Sequence, residues 1–190
     1  MDNSNLRMRL MLEAEKEIVE GLTEAERYRY FLGRIQFLKY ESGKENLLSS
    51  DCSGSVCLAL LLATGCAIRV TADALFKKYF TKKNPEKDDI QAAFFVTLYD
   101  KKLGSRLYKE NEVCHVAGVC GRDVVLNCVA PYSELRSLSD MKPYYQANDY
   151  RVFVRGLDRE ALQKASNDNV DLFGADYEYE MIRNAINGKR

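Results

Sequence analysis

The feature that most constrains this chain is an uncharged run, Val56 to Ala63, that directly follows a polar segment. An apolar segment with a polar start is typical of a buried helix, and Ser50 or Asp51 is placed to cap its first turn. We therefore expect a central helix from Cys52 to Thr64, ended by Gly65. The apolar run is far too short to cross a bilayer, so no membrane insertion is expected.

Cys52 is the first residue of this predicted helix. Unpaired backbone N–H groups and the helix dipole favour a thiolate at such a position, and the thiolate is the nucleophilic form of cysteine. The alternative is that Cys52 is a small buried apolar residue, which is the usual role of a cysteine outside a disulfide. The motif by itself leaves both interpretations open.

The chain has one histidine, His115, so a cysteine activated by an imidazole must use it. His115 lies in the apolar run Val113–Val119, and a second apolar run, Val124–Ala130, follows a polar turn and contains Asn127. This pattern predicts a β-hairpin. A lone histidine on a strand is more often structural than catalytic. Its combination with a cysteine at a helix start and a polar residue on the next strand indicates cysteine catalysis more specifically.

These segments resemble the NlpC-type cell-wall cysteine peptidases, which have a compact papain-like fold. The most specific part of the resemblance is the spacing between Asp51-Cys52-Ser53-Gly54 and His115-Val116-Ala117-Gly118-Val119. Further matches, within about residues 25 to 135, are Tyr40-Glu41-Ser42-Gly43, Arg69-Val70-Thr71-Ala72-Asp73 and Phe94-Phe95. The chain departs from the family pattern at Lys44, Ser55 and Ala92-Ala93, which bears on substrate preference more than on fold.

The resemblance implies a catalytic group made of Cys52, His115 and Asn127. Cys52 would attack a peptide carbonyl, and His115 would take the thiol proton and later protonate the leaving amine. Asn127 would orient the imidazole, since a carboxamide cannot supply a full negative charge. The resemblance further implies a peptidoglycan stem peptide as the substrate, cleaved between γ-D-glutamate and a diamino acid.

Three further residues receive substrate-binding roles from the resemblance. Tyr40 would help to stabilise the oxyanion and would shape the pocket. Asp51 and Ser53 would bind the free amine of an N-terminal L-alanine, as in some family members. Plain helix capping is an equally weighted alternative for Asp51 and Ser53.

Two other classes of function stay open beside the peptidase. One is a catalytically inactive or structural phage- or tail-associated protein that keeps the fold. The other is a Cys-His amidase or acyltransferase that acts on a different amide or ester. A phage tail or a secretion machine is a possible partner, because the polar start Met1–Asn5 lacks the features of a secretory signal. We expect a product that is cytoplasmic as synthesised, with association with a virion or export by a route other than Sec as further options.

Composition argues against several kinds of ligand. Lys plus Arg and Asp plus Glu both number 28, which gives no electrostatic footprint for nucleic acid or an anionic membrane. With one histidine and no C-x-x-C pair, a zinc site is not expected, and no Gly-rich phosphate loop is present. The six cysteines lie mainly in apolar segments, which favours reduced thiols over disulfides. No metal and no cofactor is therefore expected.

The order of patterns along the chain is helices, then strands, then helices, which predicts an α+β fold. Thr23 and Glu26 predict a capping box at the start of a second helix. The segment Pro131–Asp149 is predicted to be irregular, with Pro143-Tyr144-Tyr145 at the rim of a cleft. The helix that carries Cys52 is expected to pack on an antiparallel sheet in a papain-like, NlpC-type core. We expect a single domain over 1–190, divided into an N-terminal helical addition (1–22), a catalytic core (23–155) and a C-terminal helical extension (156–190).

Overall fold

The computed structural model describes residues 14–43 and 49–168. Its elements in chain order are α1 (14–20), α2 (Glu24–Arg34), β1 (Lys39–Tyr40), β2 (Ser49–Ser50), α3 (Cys52–Thr64), α4 (Ala72–Ala74) running into a π-helical turn (Leu75–Tyr79), β3 (Gln91–Thr97), β4 (Lys101–Leu103), β5 (Arg106–Tyr108), β6 (Val113–Val119), β7 (Val124–Cys128), β8 (Ser133–Ser137), α5 (Leu138–Ala147), β9 (Tyr150–Gly156) and α6 (Arg159–Asp168). The N-terminal helical addition expected over 1–22 lies partly outside the described residues, and the C-terminal helical extension expected over 156–190 lies outside them beyond residue 168.

A five-stranded antiparallel sheet, in the order β8-β7-β6-β3-β9, forms the centre of the molecule. Helices α2 and α3 pack on one face of this sheet and share the main apolar core with it. Helix α5 packs on the opposite face over a smaller cluster. The predicted α+β class is confirmed, with the cysteine-bearing helix packed on an antiparallel sheet as expected for a papain-like core.

Helix α3 is enclosed by protein, as its uncharged sequence predicts. Every residue from Ser53 to Thr64 is buried, so this helix has no solvent-facing side. A helix that is apolar all round is stable only inside a core. Asp51 caps its first turn, and Gly65 ends it with a φ of 72°, a left-handed conformation that glycine adopts without strain.

Helix α2 approaches strand β6 closely because β6 carries a glycine at the contact. The predicted capping box of Thr23 and Glu26 is present at the start of α2. A Cβ atom built on Gly118 would lie 2.6 Å from Leu32 Cδ2 and 3.0 Å from the Tyr28 hydroxyl. Gly118 therefore sets the depth at which α2 packs on the sheet.

A β-bulge interrupts strand β6 beside the histidine. Phe95 pairs with His115, whereas the next residue of β3, Val96, pairs with Val113, so Cys114 is the extra residue. Val113 contributes to the core on the α3 side, and Cys114 packs with the cluster on the α5 side. The bulge thus places Cys114 and His115 on the same face, and bulges commonly redirect side chains in this way.

The expectation that Pro131–Asp149 is irregular is wrong, because this segment contains all of β8 and all of α5. Ser137 caps α5 by accepting from the Asp140 N–H, and Asp123 from the preceding turn accepts from the Ser139 N–H at 2.9 Å. Pro143 lies inside the helix. Caps and burial on the sheet together outweigh the cost of an internal proline.

The segments that join the main elements contain a short hairpin and a helix cap. The connection from β3 to β6 contains the β4–β5 hairpin, in which Lys101 pairs with Tyr108. Asp158 caps the start of α6, since its carboxylate accepts from the Ala161 N–H at 3.0 Å. Within the described part of the chain, each helix is too short or too polar to cross a membrane.

Candidate active site

The start of α3 is fixed by a network centred on the Asp51 carboxylate. Its Oδ1 accepts from the Gly54 N–H at 2.7 Å and from the Ser53 hydroxyl at 3.0 Å. Its Oδ2 accepts from the Gly43 N–H at 2.7 Å and from the Arg69 guanidinium at 2.8 Å. Arg69 also donates to the Ser53 hydroxyl at 3.0 Å. Asp51 and Ser53 therefore hold the cysteine-bearing turn rigidly, in the capping role that was one of the two expectations for them.

The Cys52 sulfur lies between the start of α3 and strand β6. Backbone N–H groups of Ser53 and Val116 point at it and lower its pKa, but burial, followed by the nearby Asp51 charge, raises the pKa of Cys52 to about 11. The expectation that the helix start favours a thiolate is therefore wrong for the resting site. Burial and a neighbouring carboxylate outweigh the helix dipole, and Cys52 is a neutral thiol at neutral pH.

The approach of Cys52 to β6 depends on a gap between β6 and β7. These strands pair only at Gly118–Leu126 and Val119–Val125. The N–H groups of alternate residues point to the same edge of a strand, so the Val116 N–H faces β7 as the Cys120 N–H does. At Val116, β6 is no longer paired with β7. The Val116 N–H is therefore directed to the Cys52 sulfur instead.

His115 and Asn127 are in direct contact on neighbouring strands. Asn127 Oδ1 lies 2.7 Å from His115 Nε2, and both side chains are buried. A carboxamide oxygen only accepts, so Nε2 carries the proton and Nδ1 keeps a lone pair. Burial lowers the pKa of His115 to about 4, although the bond to Asn127 opposes this. The imidazole is consequently neutral at neutral pH, with one nitrogen free to accept a proton.

Two tyrosines stand near the cysteine sulfur. Tyr40 ends β1, and burial, then the Cys52 and Asp51 charges, raises the pKa of its hydroxyl to about 12. Tyr108 ends β5, and its pKa is also raised, chiefly by burial and further by Cys114 and Cys52. Both hydroxyls stay protonated at neutral pH and are available as hydrogen-bond donors. Tyr108 was missed in the sequence because its hairpin lies in a segment without an apolar pattern.

A third tyrosine covers the other side of the histidine. The Tyr145 ring is parallel to the His115 ring, with 4° between the planes and 6.4 Å between the centroids. Phe95 packs against both rings, at 5.1 Å from His115 and 4.1 Å from Tyr145. The expectation that Pro143-Tyr144-Tyr145 lies at a cleft rim did not anticipate a contact with the histidine, since that contact requires α5.

Of the three predicted catalytic residues, the structure joins His115 and Asn127 directly. Cys52 lies beside the backbone of Val116, the residue that follows His115. A thiol and a neutral imidazole are the types of group that cysteine catalysis uses. The Cys52 N–H belongs to the first turn of α3, where it has no partner within the helix, and it can donate to an oxyanion. Among the described residues, no group of three His, Cys, Asp or Glu side chains is arranged to hold a metal ion.

No protein-family model matches this chain, and no curated protein matches it by sequence. Among solved structures, NlpC1 from Trichomonas vaginalis is similar to this chain, with a TM-score of 0.49 and 18% sequence identity. The match covers 72% of this chain and 44% of the Trichomonas chain, so this chain spans less than half the length of that protein. At this level of similarity, residue roles have to come from the geometry of the site itself.

Proposed function

We propose that this chain is a cysteine peptidase that cleaves peptidoglycan stem peptides at the bond between γ-D-glutamate and a diamino acid. The observation that carries the proposal is the 2.7 Å hydrogen bond between His115 Nε2 and Asn127 Oδ1. It fixes the orientation of the only imidazole of the chain, and Val116, the next residue, directs its N–H to the Cys52 sulfur. A histidine held in one tautomer next to a thiol is the arrangement that acyl transfer by cysteine requires.

Catalysis begins with the resting pair of thiol and neutral imidazole. His115 Nδ1 takes the proton of Cys52 as the sulfur attacks the scissile carbonyl carbon, and the carbonyl oxygen becomes an oxyanion. The Cys52 N–H and the Tyr40 hydroxyl are the proposed donors to that oxyanion. The imidazolium then protonates the leaving amine, which leaves an acyl-enzyme. A water molecule, deprotonated by the same imidazole, hydrolyses the thioester and restores the thiol.

The choice of stem peptides as substrate rests on the region around Asp51. Asp51 and Ser53 are proposed to attract the free amine of an N-terminal L-alanine, in addition to capping α3. Because the carboxylate already accepts from four donors, we propose that its negative charge acts on the amine at longer range. Asp51→Asn keeps the oxygen that caps α3 and removes the charge, but it also replaces the oxygen that accepts from the Gly43 N–H and Arg69. Its activity is therefore compared with that of the wild type after circular dichroism has shown the fold to be intact.

The test is incubation with L-Ala-γ-D-Glu-diaminopimelate, followed by mass analysis of the products. The proposal predicts release of L-Ala-D-Glu and diaminopimelate by the wild-type chain and no release by Cys52→Ala or His115→Gln. Cys120→Ala is the matched control, since Cys120 is half-buried at the other end of β6, and it should keep full activity. Turnover of an ester donor without cleavage of the peptide would instead indicate an acyltransferase. Absence of any turnover would indicate an inactive member of the fold.

A further inference from the structure

The His115 ring is enclosed by side chains from several elements. Phe95 on β3 and Asn127 on β7 contact it within the sheet, and Tyr145 on α5 covers it from outside. Only 8% of His115 is exposed. The bulge at Cys114 leaves Cys114 and His115 on the face of the sheet that α5 covers, where the Phe95 and Tyr145 rings lie 5.1 Å and 6.4 Å from the imidazole between centroids.

Tyr145 is itself held firmly in place. Its ring meets Tyr144 and Tyr150 edge to face, each at 5.5 Å between centroids. Leu138 and Met141 of the same helix are buried on the sheet and anchor α5 there. The side chain is therefore preorganised over the histidine by aromatic packing and needs no substrate to order it.

We propose that Tyr145 is a positioning residue that shields the outer side of the His115 imidazole from water and so keeps it neutral and ready to accept a proton. The shielding itself is independent of the reaction. Only the step in which the proton comes from Cys52 rests on the proposed function. Water at the ring would favour the imidazolium, which has no lone pair to accept the thiol proton.

The groups around this histidine make the proposal testable by titration. The thiols of Cys52 and Cys114 have pKa values raised to about 11 and about 12, and the pKa values of Tyr145 and Tyr150 are raised to about 12, chiefly by burial in each case. None of these changes charge between pH 4 and pH 8. Charged groups on that side include Lys101 of β4, whose ammonium lies 4.4 Å above the Tyr150 ring, and Asp149, whose charge acts on Tyr150.

The test is a proton NMR titration of the imidazole Hε1 resonance, which is unambiguous because the chain has one histidine. In Tyr145→Ala the pKa of His115 should rise from about 4 toward its ordinary value of 6.5, by roughly one to two pH units. Tyr145→Phe and Tyr145→Leu keep an apolar cover and should titrate within about 0.5 pH units of the wild type. Tyr99→Ala removes a ring that is 66% exposed and has no ring contact with Tyr145 or His115 among the described residues, and it should leave the titration unchanged.

A folded Tyr145→Ala protein whose His115 titrates as in the wild type would overturn the proposal. So would an equal rise in Tyr145→Leu, since hydration would then not be the cause. If Tyr145→Ala does not fold, Tyr145→Val, which keeps part of the apolar side chain, should show a smaller rise in the same direction, with circular dichroism as the check on folding. The acid limb of the kcat/KM profile should move upward with the titration. An inactive wild-type chain would contradict the proposed function and leave the titration result valid.

Discussion

Acidification should destabilise this protein through one buried group, His115. Burial favours the neutral imidazole, so the folded pKa is about 4 while the ordinary value is 6.5. Between these values the unfolded chain binds a proton that the folded chain does not. Stability is therefore intact above pH 6.5 and is lost as the pH falls toward 4.

The size of the loss follows from the same two pKa values. Each pKa unit corresponds to about 1.4 kcal/mol, so the full window from pH 6.5 to pH 4 is worth about 3 kcal/mol. His115 is only 8% exposed, and solvent screening therefore reduces this figure little. A loss of this size is a large fraction of the stability of an ordinary domain.

The assay is urea unfolding at pH 7.5 and pH 4.5 for the wild type and for His115→Gln. Carboxylates also titrate in this range, but they do so in both proteins and cancel in the comparison. The wild type should lose about 2 to 3 kcal/mol more than the variant between the two pH values. Equal losses in both proteins, or an Hε1 resonance that titrates near pH 6.5, would show that the imidazole is not held neutral by burial.

Four other predictions follow from named contacts. Asn127→Ala frees the imidazole to rotate and leaves a buried N–H unpaired, so kcat/KM should fall about 10- to 100-fold, whereas an unchanged value would remove Asn127 from the site. Iodoacetamide labelling of Cys52 should accelerate about tenfold per pH unit from pH 7 to 9, and a plateau below pH 7 would indicate a resting thiolate. Tyr28→Phe deletes a buried hydroxyl without a partner among the described residues and should raise the unfolding free energy by about 1 kcal/mol in chemical denaturation. Gly118→Ala should lower it by about 1 to 3 kcal/mol in the same assay, through the clash with Leu32.

The elements that the sequence predicts well are those whose burial is indicated by a continuous apolar pattern within one segment. The helix of Cys52–Thr64 has no charge and is buried on all sides, and the capping box at Thr23 is present as expected. The hairpin around His115 follows from two apolar runs separated by a polar turn, and it forms β6 and β7. Local sequence is sufficient where one segment carries both the apolar pattern and the residues that end it.

Other features depend on contacts between distant segments. Helix α5 contains Pro143 and owes its start partly to Asp123, from which it is separated by the two strands β7 and β8. The bulge at Cys114 is a feature of the pairing between β6 and β3, and no residue type in β6 indicates it. The resting state of Cys52 likewise depends on how deeply the folded chain buries the sulfur, which a motif at a helix start does not reveal.

The central claim is that Cys52, activated by His115, cleaves the γ-D-glutamyl bond of a stem peptide. Mass analysis after incubation with L-Ala-γ-D-Glu-diaminopimelate tests it most directly. The expected result is release of L-Ala-D-Glu by the wild type and by Cys120→Ala, with none from Cys52→Ala. An intact tripeptide after prolonged incubation with the folded wild-type protein, or equal cleavage by Cys52→Ala, would contradict it.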